Sequence, residues 1–331
     1  MLLKGTLMPN CFAYCYLLNG DHPKQALTLD KINNWQPDDG LLWLHLDFTQ
    51  PQTQQWIQQS HLPDIEKDAL LNDHDRPRLN QTKDGFFLAL RGVDIDKNAQ
   101  GKLSDQMLSI RCYFTKSLII TTSNKPVIAI SRIAAHIDGG FGPTSIGNFI
   151  LSLCDHLASH KLKVIDTLDE QLTKFEDQVM TESDTNLRNN IAVLRRETVR
   201  LRHYITPQRD ALAKLITIET PLLSLVERQK IHEVNEKISH ALDDLNAIRE
   251  RANVTQEELM SLQSETLNQR LYFLSLITTV FLPLGFLTGL FGVNLDGIPG
   301  AEDHLSFSIF CGLLVGVLML QLALFYRRKW I

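Results

Sequence analysis

The stretch that decides the fold lies near the end of the chain and reads LYFLSLITTVFLPLGFLTGLF over residues 271–291. A second stretch, LSFSIFCGLLVGVLMLQLALF, covers residues 305–325, and neither contains a charged side chain. About 20 apolar residues in a helix are enough to cross the roughly 30 Å hydrocarbon core of a bilayer. Each stretch therefore predicts a membrane-spanning helix, and together they predict a transmembrane hairpin.

Charges on either side of the two stretches predict how the hairpin is oriented. Residues 292–304, between the stretches, hold three acidic side chains and no Lys or Arg, whereas Arg270 precedes the first stretch and three basic residues occupy 327–329. By the positive-inside rule, both flanks are expected in the cytoplasm and the connecting loop outside. Residues 1–270 carry no recognisable signal peptide, so they too are expected to be cytoplasmic.

Composition and charge narrow the function classes. The net charge of -5 on 331 residues indicates no affinity for nucleic acid, and the length exceeds what one core usually organises. We find no phosphate-binding glycine loop, no nucleophile motif and no carboxylate-histidine set with compelling spacing, so an enzyme is not expected. The expected parts are an α+β domain over 1–140, a helical stalk region over 141–270, spans over 271–291 and 305–326, a loop over 292–304 and a tail over 327–331.

Within the first region, runs rich in aromatic and branched residues alternate with helix-like segments. Strands are predicted around Tyr14 and at 41–46, 86–93, 107–114 and 118–122. Helices are predicted at 51–60, 63–71 and 126–137, and longer ones at about 145–180 and 184–215. Cys11 and Cys15 would lie about 13 Å apart on the first of these strands, too far to share one zinc ion, so reduced, packed thiols are expected.

A very long helix is predicted from Leu222 to Phe291, because neither Pro nor Gly occurs before Pro283. Apolar residues in this segment recur three and four apart, as in a coiled-coil seam. The seam residues are Ile231, Val234, Ile238, Ala241, Leu245, Ile248 and Ala252. The spacing fits a stalk of packed helices that leads to the membrane, and it fits a helical bundle within one chain equally well.

Polar residues keep the same spacing across the membrane boundary, on one face of the long helix. We call this face the polar stripe; its members are Glu258, Ser261, Glu265, Asn268, Tyr272, Ser275 and Thr279. Polar side chains inside a span usually face protein or water, although Ser and Thr can also bond the carbonyl four residues back. The membrane part of the stripe, from Asn268 to Thr279, is predicted to line a water-filled pore.

Pro283 and four glycines refine this hypothesis. Because Pro283 has no N–H, the carbonyl of Thr279 loses its helical partner at membrane depth, where water, an ion or another side chain must bond it. Two helices cannot enclose a pore, so several copies of the chain are required. Two pairs of small residues would allow close helix approach. They are Gly285 with Gly289, and Gly312 with Gly316.

The end of the first span and the following residues resemble the CorA superfamily of divalent cation transporters, whose signature is Gly-Met-Asn after a proline-bearing span. The residues that carry the resemblance are Asn268 to Pro283, Thr288 to Phe291, and Gly292, Val293 and Asn294. Val293 in place of Met, together with residues 297–300, 307–310 and 327–330, is similar to the ZntB branch. The close match covers about the last seventy positions.

The resemblance implies a cytoplasmic α+β domain, a funnel of long helices and a homopentamer in the bacterial inner membrane, with the first span lining the pore. It implies transport of a divalent cation, zinc in this branch, linked to protons and with no cofactor. A magnesium or cobalt channel of the CorA type is the first alternative. A membrane-anchored scaffold or sensor that transports nothing is the second.

The loop residues take their roles from this resemblance. Gly292, Val293 and Asn294 would form the selectivity loop, in which a ring of Asn294 amide oxygens meets the arriving cation or its water shell. Three acids would attract cations to it: Asp296, Glu302 and Asp303. In the cytoplasmic region, His156 and His160 lie four apart on a predicted helix and are a candidate metal pair. An ordinary solvated helix face explains that spacing as well.

Overall fold

The computed structural model describes residues 12–20, 25–26, 32, 34–72, 76–93, 107–181, 185–292 and 305–328. The chain divides into two compact units, Met1–Gln256 and Glu257–Ile331. The strands are β1 (Phe12–Leu17), β2 (Gln25–Ala26), β3 (Leu42–Asp47), β4 (Arg78–Gln81), β5 (Gly85–Val93), β6 (Met107–Thr115) and β7 (Leu118–Ser123). The helices are α1 (Pro51–Gln59), α2 (Asp64–Leu71), α3 (Ile128–Asp138), α4 (Ile146–Thr181), α5 (Thr185–Thr217), α6 (Leu225–Phe291) and α7 (Ser306–Arg327).

The strands form one sheet in the order β2-β1-β3-β7-β6-β5-β4. Strands β3 and β7 pair in parallel, and the other neighbouring pairs are antiparallel. The predicted strands and helices are confirmed within three residues of their expected bounds, the largest difference being the long helix, which begins at Leu225 rather than Leu222. The sequence did not predict β2 or β4. Strand β4 reads RLNQ, which contains no β-branched or aromatic residue, and it forms through its pairing with β5 at the sheet edge.

Helices cover both faces of the sheet. On one face Trp56 and Ile57 of α1 and Leu70 of α2 join a buried cluster with inward residues of β3 and β7. On the other face Trp43 of β3 contacts Phe149 of α4, with ring centroids 5.0 Å apart. The central strands β3 and β7 therefore bury both of their alternating side-chain sets, and the α+β prediction is confirmed as a three-layer arrangement.

Helices α4 and α6 run parallel and in constant register in the larger unit. Three pairs hold this register, each separated by 82 residues: Ser145 with Glu227, Asp155 with Lys237, and Asp169 with Arg251. The guanidinium of Arg251 also donates hydrogen bonds to both carboxylate oxygens of Glu176, at 3.0 and 2.6 Å. Bidentate pairs of this kind restrict geometry more than single charged contacts do. Sliding α4 along α6 by one turn would break all three pairs.

Every predicted seam residue of α6, from Ile231 to Ala252, is buried within the single chain. Apolar stripes on the two preceding helices are buried as well, including Leu168 of α4 and Leu194 of α5. The coiled-coil spacing of this segment thus reflects packing within one chain. Of the two interpretations left open by the sequence, the intrachain bundle applies to residues 231–252.

The start of α6 is fixed by a carboxylate that serves two helices. Glu227 accepts hydrogen bonds from the backbone N–H and the hydroxyl of Ser224, and a third from the hydroxyl of Ser145 before α4. The backbone N–H of Glu227 donates in return to Oγ of Ser224 at 3.3 Å, which completes a capping box. Burial raises the pKa of Glu227, but these hydrogen bonds outweigh it and hold the pKa below its ordinary value. A Cβ on Gly147 would lie 2.4 Å from a carboxylate oxygen of Glu227, so a larger residue there would displace the carboxylate from this position.

One buried lysine has no hydrogen-bond partner for its ammonium group among the described residues. This residue, Lys161 of α4, is 2% exposed. Burial lowers its pKa to about 7, and the neighbouring Cys154 acts weakly in the opposite direction. Removing a charged ammonium from water without a counter-charge favours the neutral amine. Burial of Lys161 therefore lowers the free energy of unfolding at neutral pH.

Candidate functional site

The membrane part of the polar stripe lies on α6, which continues without a break to Phe291. Asn268, Tyr272, Ser275 and Thr279 are all exposed in the single chain. The most apolar stretches of α6 and α7 are long enough to cross a membrane, and no part of either is buried inside the chain. Such surfaces are stable only against lipid or against other copies of the chain.

The threonine hydroxyls of the first span bond their own helix. Thr279 Oγ1 donates to the carbonyl of Ser275 at 2.8 Å, and Thr278 Oγ1 donates to the carbonyl of Leu274 at 2.9 Å. This is the alternative that the sequence left open for hydroxyls in a span. Because the proton points to the backbone, the oxygen lone pairs remain available as acceptors, which is the role that a hydrated cation requires.

The carbonyl that Pro283 leaves without a helical donor has a partner in the second span. Gln321 Nε2 donates to the oxygen of Thr279 at 3.3 Å. The sequence analysis overlooked Gln321, although it is the single amide side chain in the second apolar stretch. The signal was available: a lone amide in an apolar span usually bonds another helix.

Two contacts define the hairpin inside the smaller unit. Near the loop, the rings of Phe291 and Phe310 lie 5.3 Å apart, and farther along the helices Gln321 meets Thr279. The predicted antiparallel hairpin is thereby confirmed for its described residues. The small-residue pairs remain open within one chain: a Cβ on any of four glycines would meet nothing within 4 Å. These are Gly285, Gly289, Gly312 and Gly316.

Only the first residue of the predicted selectivity loop is described. The N–H of Gly292 donates to the carbonyl of Thr288 at 2.9 Å and closes the last turn of α6. A Cβ on Gly292 would lie 2.8 Å from that carbonyl oxygen. The other predicted loop residues lie outside the described part of the chain: Val293, Asn294, Asp296, Glu302 and Asp303.

The histidines of α4 have a neighbour that the sequence did not predict. His156 Nδ1 lies 2.6 Å from the carbonyl oxygen of Ser152, and the His156 ring lies 5.6 Å from the ring of His136 in α3. The Nδ1 of His160 is buried. Within the described ranges, no group of three or more His, Cys, Asp or Glu side chains is arranged to hold a metal ion. His136 was not predicted, because its contact joins helices that the sequence alone does not place together.

Comparison with known proteins agrees with the fold. Residues 38–327 match the model of the family described as CorA-like Mg2+ transporter protein. The chain is 36% identical over 321 residues to the "Zinc transport protein ZntB" of Yersinia pseudotuberculosis. The match covers 96% of this chain and 95% of the relative.

Two solved structures extend the likeness to the whole chain. The full-length CmaX protein has a TM-score of 0.83 and 29% identity, and the match covers 99% of this chain and 100% of that one. The CorA magnesium transporter of Methanocaldococcus jannaschii has a TM-score of 0.81 over 98% of this chain and all of that one, and at 18% identity it supports the fold alone. The chain belongs to the CorA family of metal-ion transporters, in the branch that contains the ZntB proteins.

Proposed function

We propose that this protein carries divalent cations, zinc foremost, across a membrane through an oligomeric pore lined by the polar stripe of α6. The observation that carries the proposal is the exposed row of oxygen-bearing side chains on a helix whose apolar surroundings are equally uncovered. Membership of a transporter family and the likeness to a zinc transport protein support the choice of cargo.

The ligands of the stripe suit the passage of an ion with most of its water. The described residues 271–291 include no Cys, His or carboxylate. Soft or imidazole ligands would hold zinc tightly, whereas conduction needs binding weak enough to allow release. Hydroxyl oxygens at Ser275 and Thr279, whose lone pairs are available, bind the outer water shell of the cation and let it go.

The pore requires several chains, and we propose a homopentamer, as the family resemblance implies. Gly285 and Gly289 of the first span are open within one chain, so a neighbouring helix can approach them closely. We further propose that the protein lies in the bacterial inner membrane with both ends in the cytoplasm. The support is the basic character of residues 327–329 and the acidic loop 292–304.

The loop after α6 supplies selectivity in this proposal. A ring of Asn294 amides meets the cation, and the acids of residues 296–303 concentrate it near the entrance. Proton linkage is assigned to the same loop, at Glu302, Asp303 and His304, because the first span has no ionisable side chain apart from Tyr272 at its start.

Magnesium transport is the second candidate, and the oxygen-only stripe favours it as much as zinc. The test is entry of each ion into liposomes that contain only this protein. We expect zinc uptake well above that of empty liposomes, increased by an imposed proton gradient, and weaker uptake of magnesium and cobalt. Uptake of magnesium in preference to zinc would support the second candidate. If no ion enters the liposomes, the remaining interpretation is that the protein is a membrane-anchored scaffold or sensor.

A further inference from the structure

A pair of histidines joins α3 to α4 on the surface of the larger unit. His136 lies in the last turn of α3 and is exposed, and His156 lies on α4 and is half-buried. Their ring centroids are 5.6 Å apart, and the ring planes meet at 60°. Neither residue belongs to the membrane hairpin or to the proposed pore.

The hydrogen bond at His156 determines which of its nitrogens can bind a metal. Its Nδ1 lies 2.6 Å from the carbonyl oxygen of Ser152. Because a carbonyl oxygen only accepts, Nδ1 must carry the proton, and the neutral ring then presents a lone pair at Nε2. A backbone carbonyl that fixes the tautomer and orientation of an imidazole in this way is typical of metal-binding histidines.

The ring separation fits a shared ion. Two imidazoles that each bind one zinc ion at about 2.0–2.1 Å, with tetrahedral angles, have centroids about 5 Å apart. The observed centroid distance of 5.6 Å exceeds this value by about half an ångström, and rotation of the exposed His136 side chain would close the gap and direct a ring nitrogen to the ion while His156 keeps its hydrogen bond. The position of His136 also favours a cation, because the last turn of a helix carries the negative end of its dipole.

We propose that His136 and His156 form a binding site for one divalent transition-metal ion of the zinc and nickel type, with water at the remaining positions. Imidazole nitrogens prefer such ions to magnesium. With two protein ligands the site binds reversibly. The site bridges α3 to α4, the helix that is held in register with α6. It is separate from the proposed pore and does not depend on which ion the pore carries.

The test uses the full-length protein in detergent, with zinc chloride as the probe. Histidines are modified with diethyl pyrocarbonate, and each site is quantified by mass spectrometry. We expect zinc at ten times its dissociation constant to slow modification of His136 and His156 by about tenfold. Magnesium should protect neither residue. The exposed His203 and His240 serve as matched controls and should react at the same rate with and without zinc.

A variant, His136→Asn, tests whether zinc binding at His156 depends on His136. His136→Asn removes one ligand at an exposed position, so the variant should keep the melting temperature of the parent protein. Zinc should then no longer protect His156. Equal modification of both histidines with and without zinc would overturn the proposal. Protection of His156 that survives in His136→Asn, or that is lost only in His160→Ala, would overturn it in favour of the pair predicted from the sequence.

Discussion

The side-chain amide of Gln321 in the second span donates a hydrogen bond to the main-chain oxygen of Thr279 in the first span, at 3.3 Å. That oxygen is the one left without a helical donor by Pro283. The contact therefore removes the cost of an unsatisfied carbonyl at membrane depth and ties the two helices of the hairpin together. It also leaves the hydroxyl of Thr279 on the polar stripe, where we propose that it lines the pore.

We predict that Gln321→Leu destabilises the hairpin because it removes this donor. The expected loss is about 1 kcal/mol in the free energy of unfolding, typical of hydrogen bonds between membrane helices. In a Pro283→Ala background residue 283 regains an N–H for Thr279, so Gln321→Leu should then cost almost nothing. The measurement is a double-mutant cycle by thermal unfolding in detergent. Equal costs in both backgrounds would show that Gln321 does not serve this carbonyl.

The buried ammonium of Lys161 should make stability depend on pH. Its pKa is about 7 in the folded chain, against about 10.4 for an ordinary lysine. Between these values the unfolded chain binds a proton that the folded chain does not, so stability rises with pH from about 7 to about 10. Lys161→Met should raise the melting temperature at pH 7, and the gain should shrink as pH approaches 10.

The matched control for this prediction is Lys163→Met, because Lys163 is exposed on the same helix. That variant should keep the pH dependence of the parent protein. A gain from Lys161→Met that is the same at every pH would mean that methionine improves packing alone and that Lys161 keeps an ordinary pKa.

Glu227 should contribute stability that acid removes. Hydrogen bonds from Ser145 and Ser224 outweigh burial and lower its pKa, so its contribution is fully present above the ordinary carboxyl pKa and is lost as pH falls through the folded value. Glu227→Gln should cost about 1 kcal/mol at pH 7, in the range of a lost helix cap. The difference should begin to shrink as pH falls below about 4.3, the ordinary carboxyl pKa, and should disappear once the pH is below the lowered pKa of the folded chain. Glu233→Gln, exposed on the same helix, should show no such difference at either pH.

The role of Asn294 in selectivity is inferred from the family resemblance, and the residue lies outside the described part of the chain. We expect Asn294→Ala to remove most zinc transport and Asn294→Asp to shift ion preference. A ring repeats one side chain at a single constriction, and a ring of carboxylates holds a divalent cation longer than a ring of amides does. Competition of magnesium and cobalt with zinc uptake measures the shift. Parental rate and selectivity in correctly assembled Asn294→Ala would assign Asn294 to capping the span.

The sequence predicted those features that repeat along the chain. Residues such as Ile238 and Leu245 recur three and four apart and are buried as expected, and the strands rich in branched residues lie where they were expected. The apolar stretches predicted the two spans without any tertiary information, because the length of a span is set by the bilayer.

Contacts between distant segments were not predictable from periodicity. His136 meets His156, and Gln321 meets Thr279, across helices whose mutual placement depends on the whole fold. Strand β4 was not predicted for a related reason: its residues have little strand propensity, and the strand depends on pairing with β5. The capping box of Ser224 and Glu227 was readable, since serine followed by glutamate three residues later marks a helix start.

The most direct test of the pore is zinc uptake into liposomes by two neighbouring valine variants. Thr278 and Thr279 both donate their hydroxyl to a carbonyl four residues back, so Thr→Val removes the same hydrogen bond at each site. The two side chains differ by about 100° around the helix, and only Thr279 lies on the polar stripe. If the stripe lines the pore, Thr279→Val lowers the initial rate of zinc uptake several-fold, while Thr278→Val keeps the parental rate. Equal rates in the two variants, with assembly confirmed by size, would contradict a pore lined by this face.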